Sequence, residues 1–191
     1  MQNTKKTETL GKLVFVTKIE DIPGGVTVAV SDLTQTYVAA GTPIGPDNNG
    51  LYHVIKTAKA TASATNTATD YQVAKGHNFK VGDFLAVKPG AKAYAITAID
   101  TTNTGYDVLT VGTTLGLAVS NGAVLIQALA ESASTSSGFK YTPTLLTNND
   151  FDVVIGDNHL VGAWRRSTVK EANAPAVSAE IKAAMPLTQW V

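Results

Sequence analysis

The feature that most constrains the fold is a succession of short strand-like segments separated by Gly, Pro, Asn and Asp. The pattern begins at Leu13–Thr17, repeats at Val26–Val30 after the Gly24-Gly25 turn, and resumes at Leu51–Lys56. Each segment is rich in β-branched or aromatic residues, and short apolar runs bounded by turn residues are typical of strands. The sequence therefore predicts a mainly β protein.

The same pattern continues through residues 71–130 and predicts one compact β module, either a small barrel or a sandwich. Short strands recur there at near-regular spacing between Gly, Pro, Asn and Asp residues. Alternation along a strand sends successive side chains to opposite faces, so one set should face the interior. The side chains predicted to point inward are Phe79, Val81, Phe84, Ala86, Ile96, Ile99, Val108 and Leu125.

Two stretches of small polar residues flank this module. Residues 57–70 consist mainly of Ala, Thr, Ser and Lys, and residues 131–138 are rich in Ser. Both are predicted to be linkers, with a small-residue strand as the alternative for residues 57–70. The predicted organisation is a flexible N-terminal arm at 1–10, a base β domain at 11–56 and 139–191, and an inserted or projecting β module at 71–130.

One segment near the C-terminus has helical periodicity. Val177, Ile181 and Met185 follow one another at four-residue spacing, which places them on one helix face. A proline is tolerated at the first helical position but stops a helix from continuing, so a helix is predicted over residues 176–185, ended by Pro186.

Composition narrows the classes of function. Of the 191 residues, 44% are hydrophobic and only 16% are charged, with a formal net charge of zero. Low charge density disfavours disorder, and balanced charge gives no basic surface for nucleic acid. The chain has no cysteine, and no apolar run approaches the ~20 residues of a membrane span or resembles a signal peptide. We therefore expect neither nucleic acid nor membrane as a partner.

Residue types that carry chemistry are sparse. The three histidines lie in separate segments, no H-E-x-x-H, G-x-S-x-G or phosphate-binding glycine motif occurs, and most Asp residues lie at turns. The sequence therefore predicts no catalytic residue, no metal and no cofactor. A hydrolase would require two Asp carboxylates and a His to converge in a pocket. A carbohydrate-binding module would require exposed aromatic rings in one groove, for which Tyr94, Tyr106 and Tyr141 are the candidates.

The C-terminal region carries the strongest indication of a partner surface. Trp and Arg are enriched at the centres of protein interfaces, and the chain has a Trp-Arg-Arg sequence within a predicted strand. Its last residues are apolar and aromatic, so they must either fold back on their own domain or dock on a neighbour. The predicted interface residues are Trp164, Arg165, Arg166, Ile181, Met185, Leu187, Trp190 and Val191.

Two stretches resemble the head-fibre and capsid-decoration proteins of tailed bacteriophages. Val161–Glu171 followed by Pro175–Pro186 resembles their C-terminal pattern, in which a strand with a Thr-Val pair leads through a proline to a short helix. Ala39–Gly45, with its Pro-Ile-Gly sequence, is similar to an early strand of such proteins. Together these stretches cover about a sixth of the chain.

The resemblance implies a virion structural protein, made in the host cytoplasm, that binds the major capsid protein on the outer surface of an assembled shell. It further implies a homotrimer, with residues 139–191 or the N-terminal arm near the shell and the β module projecting outward. The alternative is a module that binds carbohydrate or a cell surface, in which case the ligand would be a host-surface glycan; a hydrolase is the third possibility.

Overall fold

A computed structural model describes residues 12–154 and 156–191. Its first strands are β1 (Phe15–Asp21), β2 (Val26–Ala29), β3 (Tyr37–Val38), β4 (Pro43–Pro46), β5 (Tyr52–Val54), β6 (Thr57–Lys59), β7 (Asp70–Val73), β8 (Phe84–Ala86) and β9 (Ala91–Asp100). They are followed by β10 (Asp107–Val111), β11 (Val124–Ala128), β12 (Ser132–Ser137), β13 (Leu145–Thr147), β14 (Phe151–Asp152), β15 (His159–Val161), β16 (Ala163–Val169), the helix α1 (Ala179–Ala184) and β17 (Thr188–Trp190).

The prediction of a mainly β protein with one short C-terminal helix is confirmed. The N-terminal arm predicted at residues 1–10 lies outside the described residues. Within them, no helix has the length and apolar character that crossing a bilayer requires.

The first sheet curls into a barrel. β2 pairs with β5, β5 with β4, β4 with β13, and β13 with β16. Gly162 joins β16 to β15, and β15 pairs with β2, so the circuit of paired strands closes. β1 and β17 are added along β16. The barrel encloses a core of Val26, Val28, Val30, Leu33, Val38, Ile44, Val54, Leu145, Val161 and Ala163.

The second sheet forms another small barrel. Its strand order is β6-β11-β8-β9-β10-β7, with β12 added to β9. A bridge between Ala60 and Val73 brings the end of β6 to β7, which closes this circuit as well. The interior contains Ala58, Ala60, Tyr71, Val73, Phe79, Leu85, Ile96, Leu109, Val111, Leu115, Val119 and Leu125. Every strand of this barrel lies within residues 57–137, and the first barrel is built from residues 15–54 and 145–190.

Both predicted linkers contain strands. In residues 57–70 the alternative prediction of a small-residue strand holds at β6, and in residues 131–138 the linker prediction is wrong because β12 lies there. Residues 57–70 begin with β6, which pairs with β11, and residues 131–138 contain β12, which pairs with β9. Their small side chains gave no apolar alternation in the sequence, but an extended backbone accepts Ala, Ser and Thr where a neighbouring strand supplies hydrogen bonds. The two barrels are therefore joined by short connections.

The predicted alternation fails in three segments of the second barrel. In β8 the inward residue is Leu85, whereas Phe84 and Ala86 face the apolar cluster shared with the first barrel. Val81 is 62% exposed because it lies in the turn before β8. In β10 the inward residues are Leu109 and Val111 rather than Val108, because the buried Asp107 sets the phase of the strand.

The two barrels meet across a shared apolar cluster that includes the helix. Leu146 and Val169 come from the first barrel and Ala86 and Ile126 from the second. Val177, Ile181 and Met185, which the periodicity predicted to share one helix face, pack against them. The helix itself starts later than expected, because the Ser178 side chain caps it by accepting a hydrogen bond from the Ile181 N–H.

Gly45, in the Pro-Ile-Gly sequence of β4, permits a close approach within the first barrel. A Cβ atom at this position would lie 2.1 Å from the Thr142 carbonyl oxygen. Any side chain would therefore push the backbone of residue 142 away from β4. Residue 142 lies where the chain returns from the second barrel, and this segment can pack on β4 only because residue 45 is glycine.

Candidate functional site

Trp164 is held mainly by its own fold. Its side chain is half-buried, and its indole Nε1 donates a 2.7 Å hydrogen bond to the Asn148 Oδ1 atom. The Phe15 ring lies against it with 6.4 Å between centroids, and the Lys18 ammonium lies 5.6 Å from the Trp164 ring. These contacts fix the start of β16 against β1, so Trp164 offers a partner only part of its surface.

Arg165 and Arg166 are both exposed. Arg165 Nη1 lies 3.7 Å from Glu20 Oε1, with side chains that are 58% and 48% exposed. Such an exposed ion pair contributes less than about 1 kcal/mol. Both guanidinium groups therefore remain accessible on the outer face of the first barrel.

Ile181 and Met185, predicted as interface residues, lie inside the molecule. Their exposed fractions are 0% and 3%, and they fill the cluster shared by the two barrels. Neither presents a surface to another molecule, so their assignment to an interface is wrong and their role is to hold α1 at the joint.

The apolar tail folds back on its own sheet. β17 runs parallel to β16, and the Val191 N–H donates a 2.9 Å hydrogen bond to the Val169 carbonyl oxygen. Trp190 is half-buried, with its indole 5.9 Å from the Lys182 ammonium. Leu187 and Val191 remain 51% and 56% exposed. The sequence left two possibilities for the tail, folding back on its own domain or docking on a neighbour. In the structure it folds back.

The outer strand β1 carries an apolar stripe that the sequence analysis did not single out. At two places β1 advances by two residues while β16 advances by one, and the residues inserted by these bulges are Val16 and Ile19. They are 55% and 54% exposed, and Leu13 just before the strand is 66% exposed. An open groove of about 410 Å³ adjoins the stripe, with Lys12 and Lys18 in its lining.

A buried ion pair lies where the chain passes from the first barrel to the second. Lys56, which directly precedes β6, is 1% exposed, and its Nζ lies 2.9 Å from Asp83 Oδ2. Asp83 also accepts hydrogen bonds from the Gln127 side chain at 2.7 Å and from the Lys80 N–H at 2.9 Å. The carboxylate thus ties the connecting segment to two elements of the second barrel.

His53 lies next to this pair. Its ring stacks on Tyr141, with 4.0 Å between centroids and 5° between planes. Asp47 lies 3.6 Å from its Nε2 and Asp32 lies 4.0 Å from its Nδ1. Burial raises the pKa of Tyr141, and the carboxylates of Asp32, Asp47 and Asp83 raise it further. This cluster therefore holds a neutral phenol stacked on an imidazole between carboxylates.

A second histidine is buried in the other barrel. His77 Nδ1 accepts a 3.2 Å hydrogen bond from the Phe79 N–H, so the proton of the neutral ring is on Nε2, 3.3 Å from Asp107 Oδ2. Lys75 Nζ lies 2.6 Å from the other oxygen of Asp107. Burial lowers the pKa of His77, opposed by Asp107 and reinforced by Lys75. Nδ1 is therefore held by a hydrogen bond, whereas Nε2 faces Asp107 without forming one.

Neither arrangement meets the geometric requirement stated for a hydrolase. The two carboxylates nearest His53 are beyond the 3.5 Å limit of a hydrogen bond, and the unprotonated nitrogen of His77, Nδ1, already accepts a hydrogen bond from the Phe79 N–H. No group of three or more His, Cys, Asp or Glu side chains within residues 12–154 and 156–191 could hold a metal ion.

The requirement stated for a carbohydrate site is two exposed tyrosine rings in one groove. Tyr94, Tyr106 and Tyr141 are all partly buried, and the Tyr141 ring is covered by His53 on one face. In five of the clefts formed by the described residues, the one tyrosine in the lining is Tyr37.

The chain was also compared with known proteins. It matches no protein-family model, no curated protein sequence and no solved structure.

Proposed function

We propose that the chain is a structural protein of a tailed-phage virion, which binds the outer surface of the capsid as a decoration or head-fibre protein. The observation that carries the proposal is the apolar stripe of Leu13, Val16 and Ile19 on the exposed strand β1. These three exposed apolar side chains fall within residues 13–19, and an exposed apolar patch on a soluble protein is typical of a surface that another protein covers.

The bulges suit this role. An outer strand with free N–H and C=O groups is prone to uncontrolled pairing, and bulges disturb the regular ladder that such pairing needs. Here the same two bulges present Val16 and Ile19 to solvent. The stripe can therefore bind through side chains while the edge resists pairing into fibres.

The division into two barrels gives the proposal an orientation. The stripe, the exposed Arg165 and Arg166 and the C-terminal tail all belong to the first barrel. We infer that this barrel faces the major capsid protein and that the second barrel, built from residues 57–137, projects outward. The sequence resemblance in Val161–Glu171 and Pro175–Pro186 supports the same assignment.

The test is incorporation into virions. A tagged copy of the chain is expressed during infection by the phage from which the sequence comes, and purified particles are examined by mass spectrometry and immunogold labelling. The wild-type chain should be present in particles and labelled on the head. A wild-type chain that is absent from particles, or labelled only on tails, refutes the proposal.

Two variants test the docking surface separately. The double substitution Val16→Ser and Ile19→Ser should leave the fold intact and prevent incorporation. Val81→Ser removes an equally exposed valine from the second barrel and should be incorporated normally. Equal incorporation of both variants would assign the capsid contact to another surface.

The proposal includes a homotrimer. Light scattering of the purified chain across a concentration series should give three times the monomer mass of 19.9 kDa. If the measured mass stays that of a monomer at every concentration, the chain does not form a trimer in solution.

A further inference from the structure

A small cavity opens on the second barrel, away from the apolar stripe. It has a volume of about 350 Å³ and lies between the turn that joins β8 to β9 and the loop that follows β10. Its lining residues are Lys88, Gly90, Ala91, Lys92, Leu115, Gly116 and Leu117. Ala91 and Leu115 are 3% and 1% exposed, whereas Leu117 is 38% exposed. The cavity therefore has a buried apolar floor and an accessible apolar rim.

Charge in the lining has one sign. Lys88 and Lys92 are the only ionisable side chains there, and no carboxylate lines the cavity. Among the described residues, neither ammonium group has a carboxylate within 4.0 Å or a hydrogen-bond acceptor in the protein. Two cations with no protein anion leave a positive potential at the edge of an apolar cavity.

Lys92 is part of the wall. A Cβ atom built on Gly116 would lie 3.5 Å from its Cδ and 3.7 Å from its Nζ. The aliphatic part of Lys92 thus lies along the turn at Gly116, whose φ of +71° favours glycine. A lysine that packs its stem on apolar surface and keeps its ammonium free can cover an apolar ligand and pair with its charge.

We propose that this cavity binds a small amphiphilic anion, with an apolar body against Leu115 and Leu117 and an anionic head at Lys88 and Lys92. Ligand cavities range from about 300 to 1,000 Å³, so the volume suits a short molecule such as a medium-chain carboxylate. The inference goes beyond the proposed function, because covering a capsid requires no small-molecule ligand.

The experiment is a titration of the isotopically labelled full chain, followed by amide NMR signals, with octanoate, 1-octanol and acetate in turn. Octanoate should shift the amide signals of Gly90 and Gly116 and saturate at one equivalent. Octanol should bind the same place more weakly, and acetate should cause no saturable shift. Octanoate binding no tighter than octanol, or shifts located elsewhere, overturns the proposal.

Substitutions identify the groups involved. Lys88→Gln and Lys92→Gln should each weaken octanoate binding by up to about fivefold, the range of an exposed ion pair, and leave octanol binding unchanged. Lys59→Gln, on the exposed face of β6, should change neither ligand. Leu117→Ser should weaken both ligands. If the two lysine variants bind octanoate as wild type does, the anionic class of ligand is wrong.

Discussion

Substitution of Asp83 should show how strongly the joint between the two barrels depends on one buried ion pair. In the Asp83→Ala variant, Lys56 would stay buried at 1% exposure, and its ammonium would keep only Asp32, at 4.0 Å, as a nearby carboxylate. The Gln127 side chain and the Lys80 N–H, which donate hydrogen bonds of 2.7 and 2.9 Å to Asp83, would also lose their acceptor.

The expected magnitude follows from what remains buried. Removing one partner of a buried pair strands the other charge, which costs about 3–5 kcal/mol in free energy of unfolding. Lys56→Met is different, because Asp83 retains its contacts with Gln127 and Lys80. That substitution should cost about 1–3 kcal/mol, the range for one lost buried hydrogen bond.

The double variant Lys56→Met/Asp83→Ala completes a thermodynamic cycle. With the ammonium replaced by an apolar side chain of similar length, loss of the carboxylate no longer leaves a buried charge. We expect the double variant to be more stable than Asp83→Ala alone, with a coupling energy of about 1–3 kcal/mol.

The assay is urea unfolding followed by two signals. Tryptophan fluorescence reports on the first barrel, since Trp164 and Trp190 lie in β16 and β17, and far-ultraviolet circular dichroism reports on strands of both barrels. If the pair couples the barrels, Asp83→Ala should separate the two transitions more than wild type does. Lys182→Met removes a lysine from the exposed pair with Glu171 and serves as the control, with an expected cost below about 1 kcal/mol.

The reasoning is refuted if Asp83→Ala costs no more than the Lys182→Met control. It is equally refuted if the double variant is as unstable as the sum of the two single variants, because additivity would mean that Lys56 and Asp83 do not interact.

Three other predictions concern the second histidine, the tail and the stripe. Burial holds the pKa of His77 below its unfolded value of about 6.5, so below that pH the unfolded chain binds more protons and the stability of the fold should fall as pH drops. The His77→Gln variant should lose less stability on acidification, measured as urea midpoints at several pH values. A variant whose midpoints fall with pH as steeply as those of wild type contradicts this prediction. Trp190→Ala should cost about 2 kcal/mol in urea unfolding, since the ring is half-buried against the joint, and a neutral effect would mean that the tail does not stabilise the fold. Val16→Ser/Ile19→Ser should change the free energy of unfolding by less than about 1 kcal/mol, because both side chains are more than half exposed, and a larger loss would place them in the folded core.

The strands were predictable because their signal is local. Leu13–Thr17, Val26–Val30 and Leu51–Lys56 each contain or overlap a strand of the first barrel. The helix was also predictable on its buried face, since four-residue spacing of apolar residues depends only on neighbouring positions. Closure of the barrels was not, because it depends on pairs such as β2 with β15, whose sequences lie far apart and carry no mark of their register.

The buried ion pair could not be found for the same reason. Lys56 and Asp83 are 27 positions apart, and Asp83 and Gln127 are 44 apart. In the sequence, Lys56 opens a small polar tract and Asp83 follows a glycine, so both have the local context of exposed residues. Only the fold brings them together. Because both are then buried, each charge needs the other as its partner.

The interface prediction shows where local reasoning misplaces a surface. Ile181 and Met185 are apolar and near the C-terminus, but helical periodicity gives them one face, and that face is needed to join the barrels. Val16 and Ile19 belong to a segment that simple alternation would half-bury, yet both lie at bulges of an outer strand in which every residue after Phe15 is exposed. The two bulges of β1 expose two apolar side chains on one outer strand, which makes them the first place to look for the capsid contact that we propose.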